Sequence, residues 1–298
     1  MFFFKRASKS VKLISAIALL SCAIFVIGAA SSHRHHKSVT QHKSKKLYII
    51  STNDLHQHTR YKKDIDGFIA GFKAKHKSPV IWLDAGDVLE VFKKFRGKAT
   101  RDDMFKWISK CDGCVPGNHD YYKGLNYLAD MSWKYNVPYI CSNISSYPEG
   151  IKKLHVITYK GKPSNIIVRK GLKIGIVGIC APEMNHRRKS DAAFKVCPCC
   201  CSKIKDKVKW LRKRCDFVIL LTHQKDKLDY KAAKYAGADV VIGGHSHSKS
   251  SSQNRVWHHV VTKAGWKGEY IGVTTISKKL INGHWQTSSS SYLAKMKK

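Results

Sequence analysis

The sequence predicts an α/β domain built on a largely parallel sheet. Three observations lead there. Short apolar, β-rich runs alternate with amphipathic helical segments, the pattern of successive strand–helix–strand units. Most of the residues with metal-binding chemistry sit where such a run ends, and ligands at the carboxyl ends of strands are the rule for open α/β sheets. The 298 residues, 43% hydrophobic and without an internal repeat, suffice for one sizeable core rather than two small ones.

Along the chain, Lys46–Thr52 is a β-rich run that ends at Asn53-Asp54. A helix follows, with Ile65, Phe68, Ile69 and Phe72 on one face at helical spacing. Pro79–Leu83 is the second strand and ends shortly before Gly86-Asp87. Asp102–Lys110 and Lys123–Tyr135 read as helices, and Tyr139–Cys141 as a short strand. Asn165–Arg169 and Leu172–Cys180 read as a hairpin. Ile204, Val208 and Leu211 mark another helix. Phe217–Leu221 runs into His223, Asp229–Tyr235 is helical, and Val240–Ile242 ends at the glycine pair before His245. The late strands Val256–Lys263 and Tyr270–Ser277 have no helix between them and are expected to pair antiparallel.

Five segments concentrate the chemistry: Asp54-Leu55-His56, Gly86-Asp87, Gly117-Asn118-His119-Asp120, Thr222-His223 and Gly244-His245-Ser246-His247. Any single histidine among 16 is more often a surface or packing residue than a ligand, so the ordered set carries the inference. Imidazole suits zinc, iron and similar ions, while carboxylate and amide oxygens suit harder ions such as manganese. A two-metal centre with ions roughly 3.5–4 Å apart calls for a bridging oxygen ligand. Asp87 lies between the other ligands in sequence and is the candidate bridge. One divalent ion then takes Asp54, His56 and His247, and the other takes Asn118, His223 and His245. The expected chemistry is in-line attack of a metal-activated water on phosphorus. His119, next to a ligand, is the candidate general acid, with Asp120 as the residue that orients it.

These five segments, in this order, resemble the calcineurin-like metallophosphoesterases. Ser51-Thr52-Asn53-Asp54-Leu55-His56 and the run Lys263–Gly272 resemble the 5′-nucleotidase branch most closely, and the similarity covers roughly Lys46 to Ile281. The resemblance implies a four-layer α/β/β/α sandwich of two mixed sheets flanked by helices, the same ligand assignment, and a hydrolase acting on phosphate esters. Three departures matter. Gln57 stands where the family often has glycine, so a narrower mouth is expected. The branch often continues its GNH motif with Glu-Phe-Asp, whose Asp partners the catalytic histidine; here Tyr122 holds that position. The base-stacking aromatic residues of full-length 5′-nucleotidases belong to a C-terminal domain beyond the span of this resemblance, so nucleotide specificity does not carry over.

Residues 1–30 read as an export signal: Lys5, Arg6, Lys9 and Lys12 precede an apolar run from Leu13 to Ala30 that ends in small residues. An uncleaved anchor through residues 13–30 is the alternative, since 18 apolar residues just span a bilayer. The expected product is exported: periplasmic, secreted or at the cell surface. Residues 31–45 form a His/Lys-rich linker, 46–285 the metallophosphoesterase domain, and 286–298 a flexible Ser/Lys-rich tail. Net charge is +35, and +31 remains without the four cations of the first 30 residues. Such a field draws polyanions, anionic surfaces and small phosphorylated substrates. The cations are scattered and form no nucleic-acid-binding module. Ten cysteines in an exported chain permit disulfides, and Asn143-Ile144-Ser145 is a glycosylation acceptor pattern in a eukaryotic host.

Two functional classes follow. The first is an exported binuclear phosphoesterase, with nucleotides among its substrates. The second is a non-catalytic, basic polyanion-binding protein that retains a structural metal site. The complete ligand set favours the first.

Overall fold

The computed structural model describes residues 43–146, 158–159, 162–163, 165–180, 195–196, 202–252 and 259–297. The expected export segment and nearly all of the linker lie outside them, as do four of the cysteines, Cys197, Cys199, Cys200 and Cys201.

Two mixed sheets flanked by helices make up the domain, as expected. The first sheet centres on β1 (Ser44–Thr52), which runs parallel to β2 (Val80–Asp84). Beyond β2 lies the two-residue strand β3 (Gly113–Cys114). Two short ladders lie outside both main sheets: β4 (Ile144–Ser146) with β9 (Lys195–Val196), and β5 (Thr158–Tyr159) with β6 (Lys162–Pro163). The second sheet takes β7 (Ile166–Arg169), β8 (Leu172–Ile179), β10 (Phe217–Thr222), β11 (Val240–Gly243), β12 (Lys249–Ser250) and β13 (Val260–Ala264), in the spatial order β12-β13-β11-β10-β8-β7. β14 (Tyr270–Ile281) and β15 (His284–Lys295) complete the first sheet, in the order β15-β14-β1-β2-β3. The helices are α1 (Lys62–Lys75), α2 (Arg101–Ile108), α3 (Leu125–Tyr135), α4 (Ser202–Arg212) and α5 (Asp226–Ala236).

Burial explains the strand chemistry. Val80–Asp84 and Phe217–Thr222 are buried at every residue. A continuous apolar run of this kind suits a strand covered on both faces. The helices show one-sided burial instead. On α1 Ile65 and Ile69 are buried, and on α4 Ile204, Val208 and Leu211 are. A capping box between Thr100 and Asp103 starts α2.

Three sequence expectations need correction. First, β13 and β14 do not pair with each other. β13 lies parallel to β11 in the second sheet, and β14 antiparallel to β1 in the first. The turn between them crosses from sheet to sheet, and Thr262 Oγ1 meets Thr274 Oγ1 at 2.9 Å. Second, residues 286–295 of the expected flexible tail belong to a strand, because β15 pairs with β14 along its whole length. Asn282-Gly283, with φ of 49° and 77°, supplies the tight turn that a two-residue hairpin needs. Buried Ser291 and Met296 tie the strand down. Third, the Asn143 side chain is buried and exchanges two hydrogen bonds with the Cys180 backbone, at 3.0 and 2.9 Å, so this amide offers no surface acceptor. The five described cysteines, Cys111, Cys114, Cys141, Cys180 and Cys215, carry free thiols, without the disulfides that export would permit.

Candidate metal centre

The site gathers at the carboxyl ends of β1, β2, β10 and β11 together with the loop after β3. Asp54, His56, Asp87, His245 and His247 all adopt positive φ, between 48° and 76°. Ten non-glycine residues among those described do so, and half of them are these candidate ligands. A side-chain-bearing residue in this region costs on the order of 1–3 kcal/mol and persists only where its surroundings over-determine it. β1, β2 and β11 each end in a sharp left-handed turn that presents a candidate ligand, whereas His223 and Asn118 follow β10 and β3 without one. Close packing fixes the loops: a Cβ on Gly117 would lie 2.1 Å from Asp87 Oδ1. Glycine is the residue that lets the Asn118 loop approach this carboxylate.

The side chains converge in three overlapping groups, each with candidate ligand atoms within 4.8 Å of one another: Asp54, His56 and His247; His56, Asp87 and His119; Asp87, His223 and His245. Asp87 and His56 each belong to two groups. His56 Nε2 and His247 Nε2 face each other at 3.0 Å. Asn118 Oδ1 lies 3.2 Å from His223 Nε2 and 2.9 Å from His245 Nδ1. Asp87 Oδ2 is 3.1 Å from His223 Nε2. Of the seven candidate ligands all but His245 and His247 are buried, and His119 is partly exposed.

Outer partners decide which ring nitrogens face inward. His223 Nδ1 is tied to Ala85 O at 2.6 Å, which leaves Nε2 for the cluster. Glu90 Oε2 lies 2.8 Å from His56 Nδ1, an ion-pair contact without hydrogen-bond alignment, and Nε2 faces His247. A carboxylate behind an imidazole is a common way to fix a metal-ligating tautomer.

Electrostatics follow the burial. Burial lifts the Asp54 carboxyl to about 7 despite nearby His223. Burial also depresses His56, to about 4, against the pull of Asp87 and Glu90. It opposes charge on Asp87 and His223 too, but their mutual attraction wins. Asp87 is held well below the usual carboxylate range, and His223 is raised to about 10.

The Asp120 expectation fails on geometry. Its carboxylate accepts hydrogen bonds from the Asp87, Leu89 and Gly117 backbone N–H groups, at 2.9, 2.8 and 2.8 Å. Asp120 therefore splices the Asp87 loop to the Asn118 loop rather than orienting His119. His119 Nδ1 instead lies 2.8 Å from Glu90 Oε1, with Val91 N 3.4 Å from the same nitrogen. Sequence reasoning missed Glu90. The available signal was an acidic residue in the apolar stretch Val88-Leu89-Glu90-Val91, three residues after a ligand, in a chain with only 20 acids. Gln57 does not narrow the mouth. It is buried, donates to Ala99 O at 2.6 Å and accepts from Glu90 N at 3.3 Å. Trp266 stacks on His247 with centroids 4.8 Å apart and planes 16° from parallel.

Two mixed sheets with a buried cluster of Asp, Asn and His at their strand ends define a metallophosphoesterase-type scaffold. Comparison with known proteins agrees. The calcineurin-like phosphoesterase pattern matches residues 47–249, and the chain belongs to that family. An apyrase of Tabanus yao is 31% identical over 158 residues, which is 51% of this chain and 27% of the apyrase. A snake venom 5′-nucleotidase of Crotalus adamanteus is 27% identical over 233 residues, covering 68% of this chain and 37% of that enzyme. The chain thus matches well under half the length of either relative. The crystal structure of a 5′-nucleotidase precursor from Thermus thermophilus shares the fold, with a TM-score of 0.66 and 19% identity, over 84% of this chain and 54% of that one.

Proposed function

We propose that this protein is a binuclear, metal-dependent hydrolase of phosphate esters, with nucleotides among its substrates. The carrying observation is that Asp87 belongs at once to a group with His56 and a group with His223 and His245. Asp54, His56 and His247 would hold one divalent ion, and Asn118, His223 and His245 the other, with Asp87 shared. The donor set fits zinc, manganese or iron, since it mixes imidazole nitrogens with carboxylate and amide oxygens. When bound, such ions lower the pKa of a water and neutralise phosphate charge.

The chain's own residues do the rest. Glu90 holds His119 Nδ1, and this leaves His119 Nε2, on a partly exposed ring, to give a proton to the leaving ester oxygen. The same carboxylate holds His56, so acid and ligand keep a fixed spacing, with ring centroids 5.0 Å apart. The basic surface draws anionic substrates, and the basic-then-apolar start directs the chain to export. No helix among the described residues is long and apolar enough to cross a membrane.

A chromogenic phosphate ester, assayed after chelation and again after adding Mn²⁺ or Zn²⁺, tests this reading. Turnover that appears only with metal is the expected result. Metal binding without turnover on any phosphate ester would favour the polyanion-binding alternative.

A further inference from the structure

Lys263 is a lysine at 1% exposure, near the end of an otherwise uncharged strand. Burying an ammonium costs several kcal/mol unless its donors are all met. Here they are. Nζ lies 2.9 Å from Gln224 O, 2.8 Å from Gly244 O, 2.7 Å from Asp226 Oδ1 and 2.8 Å from Asp229 Oδ2.

Those partners share a location. Gln224 directly follows His223, and Gly244 directly precedes His245. Asp229 also accepts from Thr222 Oγ1 at 2.6 Å and from Gln224 Nε2 at 2.8 Å, so it grips the chain on both sides of His223. Asp226 accepts from Ser248 Oγ at 2.9 Å, one residue past His247. The lysine stem passes so close to Gly243 that a Cβ there would lie 2.8 Å from Lys263 Cε. The next residues continue the stitching. Ala264 N donates to Asn53 Oδ1 at 2.9 Å, and Lys267 N donates to Asp54 O at 2.8 Å. The loop bearing His245 and His247 is strained, with φ of 76° and 54°, and something must hold it there.

We infer that Lys263 is a positioning residue, a cationic tie that sets the spacing between the His223 loop and the His245–His247 loop and so prepares the second metal site in advance of the metal. It touches neither metal nor substrate. The inference rests on the binuclear reading above. Burial alone would push the ammonium's pKa down, but the Asp229 and Asp226 carboxylates more than offset this, and the tie stays charged.

The test uses the full chain and Mn²⁺ or Zn²⁺ alone as probe. A double variant, Lys263→Met with Asp229→Asn, removes the tie without leaving a buried carboxylate unpaired. Equilibrium dialysis should show one stepwise constant weakened roughly 10–100-fold, the range for outer-shell support of a metal, and the other, whose ion takes only His247 from this loop, weakened less. Turnover should fall through kcat at limiting metal and recover at high metal, with KM little changed. Two stepwise constants within twofold of wild type, in a folded variant, would overturn the inference. Hydrogen exchange on the metal-free wild type covers the case of a variant that does not fold. Amides of residues 243–248 should already be protected before metal is added. Protection that arrives only with metal would mean the ion orders the loop, and Lys263 does not. If the wild type itself takes up fewer than two ions, the binuclear reading fails, and this inference with it.

Discussion

The two ends of the centre are braced by opposite charges. At the His56 end an acidic side chain, Glu90, holds two imidazoles from behind. At the His223 end a buried lysine holds two backbone carbonyls, with two carboxylates keeping it charged. The first end is also the more open, since His247 is 37% exposed and carries Trp266 against its ring. The difference follows from what each brace must do. Glu90 has to fix ring tautomers, which needs an acceptor. Lys263 has to draw carbonyl-bearing loops together, which needs a donor.

The largest expected effect removes the contrast altogether, because Asp87 serves both ends. Asp87→Asn loses the shared charge and should weaken both metals by more than about 100-fold, beyond the range for outer-shell changes. Metal content after dialysis measures this, and loss from one end alone would show that Asp87 is not a bridge.

His119→Ala comes next and separates chemistry from binding. Turnover should fall roughly 10²–10⁴-fold, the usual span for a general acid, while metal content stays close to wild type. The loss should shrink with a nitrophenyl ester, whose leaving group needs little protonation. Equal losses for good and poor leaving groups would point to phosphate binding instead.

Glu90→Gln sharpens the comparison directly. It should loosen metal at the His56 end by about 10–100-fold and impair the acid as well, leaving the His223 end intact. Stepwise metal constants, set beside those of the Lys263 variant, should show opposite ends affected most. Identical patterns in the two variants would remove the distinction between the braces.

The smallest effect touches both ends alike. A chain of net charge +35 should attract multiply charged substrates over long range. Raising salt from 0.1 to 1 M shortens the Debye length from about 10 to about 3 Å. The kcat/KM for a nucleoside triphosphate should therefore fall more steeply than that for a singly phosphorylated ester. Salt-independent values for both would rule out steering.

What is legible in the sequence is the part with local signals. Three of the seven candidate ligands, Asp87, Asn118 and His245, directly follow a glycine, and most of the seven stand near the ends of apolar runs, so residue chemistry and spacing pick them out. The braces have no such signal. Glu90 sits in Val88–Val91 and Lys263 in Val260–Ala264, and their partners lie far away in sequence, as with Lys263 and Gln224. The role of Asp120 escapes sequence reasoning for the same reason, since its partners include Asp87 and Leu89, on another loop. Sheet membership of β13 and β14 is likewise a long-range property. β15 is a different case: Asn282-Gly283 is a strong hairpin signal, and the serine-rich strand after it obscures the pattern.

The most direct test is a metal titration with two readouts on one sample. The full chain, stripped by chelation, is reconstituted with Mn²⁺ or Zn²⁺, and ions per chain are counted alongside turnover of a chromogenic phosphate ester. A binuclear centre gives two ions per chain, with turnover rising as the second is taken up. Metal content near zero after reconstitution, or full turnover without any bound ion, would contradict it.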